Sequence, residues 1–285
     1  MLEWIREGTA MDKSGDEKTK KRMSGKKKAF LIAGLVLCIG VIIFCAIQLI
    51  SILGEYNEGN KEYAALESVG VSQSWLDNYT SSEEVAGTSR SETTLGDISA
   101  PSIDWAALKK KNPDVIAWMV VPGTTINYPI TQTDNNDKYL HYTFENIRNK
   151  NGSVFMDYRC SGDFSDVLTV IYGHNMKSGA MFHQMTQYKD EKFMDSHREI
   201  LIFTPKTTLR LRVVGAFAEN PQDVKFKFGM KSADELAEYY KKYVTDKCSY
   251  ALKMPEGEKQ LFTFMTCSYE FDNARTFVQA VPWFD

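Results

Sequence analysis

The stretch Leu261-Phe262-Thr263-Phe264-Met265-Thr266-Cys267 is a largely apolar run that ends at a cysteine. A run of this kind and length predicts a buried β-strand. A second such run begins at Arg275, after a turn-like segment over residues 268–274. Because only this short connection separates the two runs, they predict a β-hairpin in which a thiol and a guanidinium face each other across the mouth.

A third strand pattern, over residues 167–172, ends at Gly173-His174-Asn175. Loops that follow strands often carry functional groups on a rigid scaffold. Cysteine, histidine and arginine at three strand ends suggest a thiol nucleophile, a proton carrier and an oxyanion donor. We expect the other histidines to be structural or exposed; they are His141, His183 and His197.

Short β-like runs dominate the chain from residue 115 onward. They cover residues 116–121, 126–130, 153–156, 167–172, 199–203, 208–217, 260–267 and 275–281. Turn signals such as Pro122-Gly123 and Asn151-Gly152 lie between them. Eight short strands with few long helices predict a mostly β fold, a closed or nearly closed eight-stranded β-barrel.

Three helices are expected around this barrel. One covers residues 103–111, with Asp104 near its start, and a short one covers residues 179–187. A longer helix over residues 232–246 comes directly before the cysteine strand. Ser232 is its N-cap candidate, and Glu235 stands in the capping-box position.

The N-terminal part of the chain predicts a membrane anchor. Residues 18–28 hold seven lysines and arginines and no acid, and residues 29–53 follow without a charge. An apolar run of 25 residues is long enough to cross a bilayer and is longer than the core of a signal peptide. By the positive-inside rule, residues 1–28 form a cytoplasmic tail and the C-terminal bulk lies outside the cell.

Composition divides the rest of the chain. Residues 54–101 read as a juxtamembrane segment that ends in a flexible tether over residues 81–97, because few apolar side chains are available to offset the entropy of ordering. Residues 102–285 form the expected compact domain. A net charge of −3 gives no reason to expect nucleic acid as a partner.

Five cysteines leave few choices for the nucleophile. Cys38 and Cys45 lie in the predicted membrane helix. Cys160 and Cys248 have no polar constellation around them and are expected to be small buried hydrophobes. A disulfide between two of the remaining three cysteines stays open, and the absence of any CxxC or CxxxH pair makes a metal site improbable. No cofactor is expected.

Three motifs together resemble the sortase family. Thr263–Cys267 is similar to the sortase T-L-x-T-C motif, with Phe264 in place of leucine, and Arg275 follows eight residues later. Tyr172-Gly173-His174-Asn175 resembles the histidine motif of that family. The helix before the barrel and the helix before the cysteine strand are similar to those of class B sortases. The resemblance covers about residues 103–285, and the Phe264 departure should alter packing and not chemistry.

The resemblance implies a cysteine transpeptidase that acts on secreted proteins bearing a C-terminal sorting signal of the Asn/Ser-Pro-x-Thr type. Cys267 would attack the threonine carbonyl to form a thioacyl-enzyme. His174 would protonate the leaving amine and then deprotonate an amine of a peptidoglycan peptide or its lipid-linked precursor. Arg275 would hold the oxyanion, with the Ser268 backbone N–H as a candidate second donor. The implied substrate-binding residues are Asn136, Leu140, Tyr172 and Thr266.

Other readings remain open at this point. L,D-transpeptidase-like wall enzymes also use a cysteine, but their arginine follows it by two residues, and Tyr269 occupies that position here. A cysteine protease would carry a signature around its nucleophile helix that this chain lacks. A non-catalytic extracellular binding β-domain would leave the coexistence of His174, Cys267 and Arg275 at strand ends without a reason.

Overall fold

The computed structural model describes residues 25–85 and 100–283. The chain divides into two compact units, Met1–Ser51 and Ile52–Asp285. Helix α1 spans Gly25–Leu66. Within the described residues it is the one helix long and apolar enough to cross a membrane, and it contains the span expected over residues 29–53.

Eight strands in the second unit form a closed barrel, as the sequence predicted. They are β1 (Val115–Val120), β2 (Asn127–Thr131), β3 (Val154–Met156), β4 (Leu168–Tyr172), β5 (Glu199–Phe203), β6 (Thr208–Glu219), β7 (Leu261–Cys267) and β8 (Arg275–Pro282). Around the barrel the order is β1-β2-β3-β4-β7-β8-β6-β5. The β2–β3 and β4–β7 pairs are parallel, and the other neighbours are antiparallel.

Strand β7 is apolar on both faces because both faces are covered. Phe262 and Phe264 point into the main core together with Trp118, whereas Leu261 belongs to a second buried cluster that includes Leu236 and Tyr239. A strand covered on both sides reads as a continuous apolar run instead of an alternating one. This double coverage explains why residues 261–267 form a nearly continuous apolar run.

The expected helices are present, with changed ends. Helix α3 (Trp105–Lys111) is capped by Asp104, whose carboxylate accepts the Ala107 N–H at 2.9 Å. Helix α4 (Lys138–His141) and helix α5 (Glu191–Ser196) were not predicted, and the short helix expected over residues 179–187 is a 3-10 helix at His183–Lys189.

Helix α6 (Ala233–Tyr240) continues into a π-helical segment, Lys241–Thr245, and together they account for the helix expected over residues 232–246. The Ser232 hydroxyl accepts the Glu235 N–H at 3.2 Å. The Glu235 carboxylate accepts from the Lys231 N–H at 2.8 Å, one residue before the position that a capping box would use.

Residues before the barrel pack onto it, although composition indicated a boundary at residue 102. Helix α2 (Gln73–Val85) covers residues 81–85 of the segment expected to be a tether; that expectation is wrong for these five residues, and residues 86–97 lie outside the described part. The buried side chains of this region are Tyr63, Leu66, Val71, Leu76 and Tyr79.

Two tyrosine hydroxyls tie these helices to the barrel. The Tyr63 hydroxyl donates to the Gly152 carbonyl oxygen at 2.5 Å. The Tyr79 hydroxyl donates to the Glu199 carboxylate at 2.7 Å. The apolar residues are few, but Tyr63 and Leu66, like Leu76 and Tyr79, are spaced to lie on one helix face. Composition counts the apolar residues of this region but ignores their spacing, and so it does not reveal that they form one packed surface.

Removing this N-terminal layer is expected to destabilise the domain severely. A fragment that starts at residue 102 loses five buried side chains, and each contributes about 1.5–3 kcal/mol by burial. Their sum is comparable to the whole stability of a domain, about 5–15 kcal/mol. Thermal melting of fragments 52–285 and 102–285 checks this expectation. Equal melting temperatures would show that the layer contributes little.

Candidate active site

Three strand ends meet at one end of the barrel. Strands β4 and β7 run in parallel with Tyr172 beside Met265, and the Gly173 N–H donates to the Met265 carbonyl at 3.2 Å. His174 therefore follows the strand end next to Cys267. In the antiparallel β7–β8 pair, Cys267 lies opposite Arg275. The residues singled out from the sequence thus come from neighbouring positions of three adjacent strands.

The surrounding backbone fixes the orientation of His174. Its Nε2 lies 2.8 Å from the Leu140 carbonyl oxygen, and its own carbonyl accepts the Phe182 N–H at 2.8 Å. A carbonyl oxygen can only accept, so Nε2 carries a proton. Nδ1 is then the ring nitrogen that can exchange a proton with a thiol or an amine.

Two glycines make room for the imidazole and its loop. A Cβ on Gly152, where φ is +55°, would lie 2.8 Å from His174 Cδ2 and 2.6 Å from the Tyr139 carbonyl oxygen. A Cβ on Gly173 would lie 2.6 Å from the Phe182 ring. Both positions need glycine for close approach, and Gly152 needs it also for its left-handed backbone. The Asn151-Gly152 turn signal is thus part of the histidine support.

Cys267 is the cysteine of the barrel whose environment suits a nucleophile. It is partly exposed, whereas Cys160 and Cys248 are buried. Burial raises the pKa of both buried thiols to about 12. The reactive species is the thiolate, so these two side chains stay inert at neutral pH. All five cysteines are free in the described structure, and no disulfide forms.

Arg275 is half-buried and has donors to offer. Its Nη1 donates to the Ala274 carbonyl at 2.9 Å, and no ion pair to it is present among the described residues. Guanidinium presents five N–H donors in a fixed fork. The arginine therefore lies beside the thiol with most of its donors not committed to a carboxylate.

The Ser268 backbone N–H, the candidate second oxyanion donor, is already engaged. It donates to the Ala274 carbonyl at 3.0 Å and so closes the β7–β8 hairpin. In this structure the group is committed to the hairpin, whereas Arg275 lies opposite Cys267 in the β7–β8 pair. Thr266 is also poorly placed for contact with a peptide, because its side chain is 1% exposed.

The remaining substrate-binding candidates are Leu140, Asn136 and Tyr172. Leu140 is exposed at 37%, and its carbonyl holds the histidine. Asn136 is half-buried, and both ends of its amide are used: Nδ2 donates to Asp157 at 2.9 Å, and Oδ1 accepts the Tyr158 N–H at 3.0 Å. The Tyr172 hydroxyl donates to the same Asp157 oxygen at 2.6 Å.

Sequence reasoning missed Asp157, which joins two of the predicted residues. Its side chain is fully buried, and Arg159 donates to both of its oxygens, from Nε at 2.8 Å and from Nη2 at 2.7 Å. Burial alone would raise the pKa of Asp157, but hydrogen bonds from Arg159 and Tyr172 outweigh it and hold the pKa below its ordinary value. The available signal was an Asp and an Arg two residues apart, directly after β3.

Replacing Asp157 with asparagine is expected to lower the stability of the domain and to disturb the two side chains that this carboxylate holds. Hydrogen bonds to charged groups contribute about 1.5–3 kcal/mol, so the free energy of unfolding should fall by about that amount at pH 7. The same change removes the hydrogen-bond partner of the Asn136 and Tyr172 side chains, so we expect a larger change in KM than in kcat. Urea denaturation and steady-state kinetics measure the two effects, with the exposed Asp223→Asn as control.

The pH dependence of this stability has a defined sign. Because the folded-state pKa of Asp157 is depressed, its contribution is fully present above the unfolded pKa, about 3.9, and is lost as pH falls through the lower folded value. Wild type and Asp157→Asn should converge in stability in that acidic range. A stability gap that persists there would mean that the carboxylate charge is not its cause.

No group of three or more metal-ligating side chains occurs among the described residues. The site consists instead of a partly exposed thiol, an oriented imidazole and a guanidinium. Such a set can form an acyl-enzyme, move a proton and stabilise an oxyanion.

Comparison with known proteins agrees with this chemistry. The sortase domain family model matches residues 119–282. Sortase B of Listeria monocytogenes is 30% identical over 165 residues, which cover 58% of this chain and 67% of that protein. The crystal structure of Clostridium perfringens sortase B is 29% identical, with a TM-score of 0.58 over 62% of this chain and 97% of its own. Bacillus anthracis sortase B is 25% identical, with a TM-score of 0.64 over 82% and 100%.

These matches decide among the readings that the sequence left open. The sortase model spans more than half of the chain and includes both β4 and β7, with the residues that follow them. An L,D-transpeptidase-like wall enzyme, a cysteine protease of another fold and a non-catalytic binding domain are thereby set aside. With its thiol, imidazole and guanidinium on a barrel that this model covers, the chain belongs to the sortase family of cysteine transpeptidases, and class B sortases are among its relatives.

Proposed function

We propose that the chain is a membrane-anchored sortase that cleaves a C-terminal sorting signal of the Asn/Ser-Pro-x-Thr type on secreted proteins. It transfers the acyl part to an amine of the cell wall. The observation that carries this proposal is the register of β7 and β8, which places Arg275 opposite the partly exposed Cys267, next to the strand end that bears His174.

The first half of the reaction follows from these positions. The Cys267 thiol gives its proton to His174 Nδ1 and its sulfur attacks the threonine carbonyl carbon, while the Arg275 guanidinium meets the negative charge that develops on oxygen. As the C–N bond breaks, the leaving amine takes a proton from His174 Nδ1. The products are a thioester on Cys267 and a released C-terminal peptide. Because Nε2 of His174 is held by the Leu140 carbonyl, the ring keeps its orientation during the transfer.

The second half runs in the opposite sense. An amine attacks the thioester carbon, its proton passes to His174, and the C–S bond breaks to return the Cys267 thiolate. The proposed acceptors are a peptidoglycan peptide or its lipid-linked precursor. The signal would be bound on the side of Leu140, Asn136 and Tyr172, where the Asp157 anchor holds two of these side chains.

Anchoring and orientation are parts of the same proposal. Helix α1 contains the uncharged run 29–53, and the preceding lysines and arginines would keep residues 1–28 in the cytoplasm. The barrel would then face the cell wall. A membrane-impermeant methanethiosulfonate reagent on intact cells should label Cys267, and protection of Cys267 until lysis would contradict this orientation.

A peptide library tests the signal. The full-length chain in detergent is incubated with peptides of pattern x-Pro-x-Thr-x, and mass spectrometry follows both the released fragment and a covalent adduct on Cys267. We expect peptides that begin with Asn or Ser to give both signals. If peptides lacking Pro or Thr react equally well, the proposed signal class is wrong.

A further inference from the structure

A cleft of about 580 Å³ adjoins the ends of β4 and β7, and neither Asn136 nor Leu140 is among its lining residues. Its lining includes Ser268, which follows Cys267, and Asn175, which follows His174. The other side chains that matter here are Lys177, His183, Lys189 and Glu270. The cleft is thus lined by the residues that directly follow Cys267 and His174.

One wall of the cleft is held by an ion pair. Lys189, in the 3-10 helix, pairs with Glu270 in the connection after β7 and donates to the Thr276 hydroxyl at 2.7 Å. Burial would raise the pKa of Glu270, but the hydrogen bond and charge of the Lys189 ammonium bring the pKa below its ordinary value. The pair therefore stays ionised at neutral pH and fixes the distance between the two walls.

The floor of the cleft is a hydrogen-bonded chain that starts at the nucleophile. Asn175 Nδ2 donates to the Cys267 carbonyl at 2.8 Å, and His183 Nδ1 lies 2.8 Å from Asn175 Oδ1. Since the Asn175 oxygen accepts, His183 Nδ1 must carry the proton. Nε2 of a neutral His183 is then an acceptor, and it has no hydrogen-bond partner among the residues that the structure describes.

We propose that this cleft binds the acceptor substrate, a peptide with a primary amine, and that His183 Nε2 accepts a hydrogen bond from an N–H group of that peptide. Lys177, an exposed cation at the rim, would attract a carboxylate of the same peptide. This assignment rests on the proposed transpeptidation. It makes His183 a positioning residue for the second half-reaction.

The step served by the cleft is the aminolysis of the thioester. The amine nitrogen forms a C–N bond with the acyl carbon, and the C–S bond breaks so that sulfur leaves as the thiolate. The amine proton passes to His174, and no further reactant is consumed. His183 takes no proton in this scheme; it holds the peptide so that the amine points at the acyl carbon.

Two substitutions of His183 separate positioning of the acceptor from support of the loop. In His183→Asn, the side-chain amide nitrogen can replace Nδ1 as donor to Asn175, but no acceptor remains at the place of Nε2. In His183→Ala, both contacts are lost. Lys177→Ala tests the rim cation, and Lys206→Ala, an exposed lysine in the β5–β6 turn, is its control.

The full-length enzyme first reacts with a peptide that contains the sorting signal, and the thioacyl-enzyme is measured by mass spectrometry. Transfer is then measured to triglycine and, separately, to hydroxylamine, which is too small to need the cleft. We expect His183→Asn and His183→Ala to form the thioacyl-enzyme at wild-type rate and to transfer normally to hydroxylamine. Transfer to triglycine at limiting concentration should fall about fivefold to tenfold, the effect of one hydrogen bond. Lys177→Ala should lower transfer to a peptide acceptor, and Lys206→Ala should not.

Three outcomes would overturn the assignment. Normal triglycine transfer by His183→Asn would mean that Nε2 is not used and that the residue only supports Asn175. Slow thioacyl formation with unchanged transfer would assign the cleft to the leaving peptide. Equal losses for triglycine and hydroxylamine would indicate general damage to the site. Failure of the wild-type enzyme to form any thioacyl species would instead contradict the proposed function itself.

Discussion

The Cys267→Ala enzyme is expected to lose peptide cleavage and the thioacyl species completely. Without sulfur there is no covalent intermediate, and the loss of a nucleophile in enzymes of this kind costs about 10⁴-fold or more. Any residual cleavage should proceed without a covalent intermediate. The enzyme is incubated with a peptide that contains the sorting signal. Intact-mass spectrometry then measures the thioacyl species, and release of the C-terminal fragment measures cleavage.

Matched controls come from the other two cysteines of the barrel. Cys160→Ala and Cys248→Ala should keep both signals nearly intact, because burial keeps these thiols protonated at neutral pH. These two substitutions should instead lower stability. The Cys248 side chain, for example, packs so closely over Gly215 that a Cβ there would lie 2.8 Å from its sulfur. A thioacyl adduct on the Cys267→Ala protein would move the nucleophile elsewhere.

Much of the barrel could be predicted because its signals are local. The run Leu261–Cys267 is apolar on both faces, and a covered strand looks the same wherever its neighbours come from. The hairpin to Arg275 follows from a short connection. The sequence does not contain the strand order, because β4 lies beside β7 through a contact that joins residues nearly a hundred positions apart.

The N-terminal layer was missed for a different reason. Helix α2 is polar overall, and composition alone favours a tether there. Two of its side chains, Leu76 and Tyr79, are nevertheless buried, and the Tyr79 hydroxyl reaches Glu199 across 120 residues. A few well-spaced apolar residues offset the entropy of ordering when a surface is ready to receive them, and that surface cannot be read from the helix itself.

The site was predictable in its chemistry and less so in its supports. The roles suggested for Cys267, His174 and Arg275 depend on strand ends, which local patterns mark. Asp157, Asn175 and the Leu140 carbonyl act through tertiary contacts that have no local pattern. The Ser268 N–H was expected to be free because the turn geometry was unknown. Asn273, at φ +58°, helps to close the hairpin, and in this hairpin the Ala274 carbonyl accepts the Ser268 N–H.

Phe264 illustrates how a departure from a family motif can be read. We expected packing to change and chemistry to stay. The Phe264 ring is fully buried and meets the Phe182 ring edge to face at 6.3 Å. Phe182 in turn packs against Gly173, directly before His174. The phenylalanine at this position therefore takes part in the packing beneath the His174 loop.

Arg275→Lys is expected to separate the two roles that an arginine can have at this place. Lysine keeps the charge but loses the planar fork, so it cannot give two parallel hydrogen bonds to a carbonyl and its oxyanion. Loss of one oxyanion donor typically costs about 10²–10³ in rate, roughly 2.7–4 kcal/mol of barrier. Among the described residues, Arg275 makes one hydrogen bond, to the Ala274 carbonyl, which an ammonium can also make. Stability should therefore change little while activity falls by at least that factor.

The melting temperature and kcat/KM, measured on one preparation, decide between the roles. Arg148→Lys, at an exposed position, serves as the control and should change neither quantity. A structural arginine would give the reverse pattern, with a lower melting temperature and normal turnover per folded molecule. Because the Ser268 N–H is committed to the hairpin in the described structure, it should not hide the loss. Near-normal turnover in a folded Arg275→Lys enzyme would therefore remove this residue from the mechanism and require the oxyanion to be stabilised by a group that the hairpin must first release.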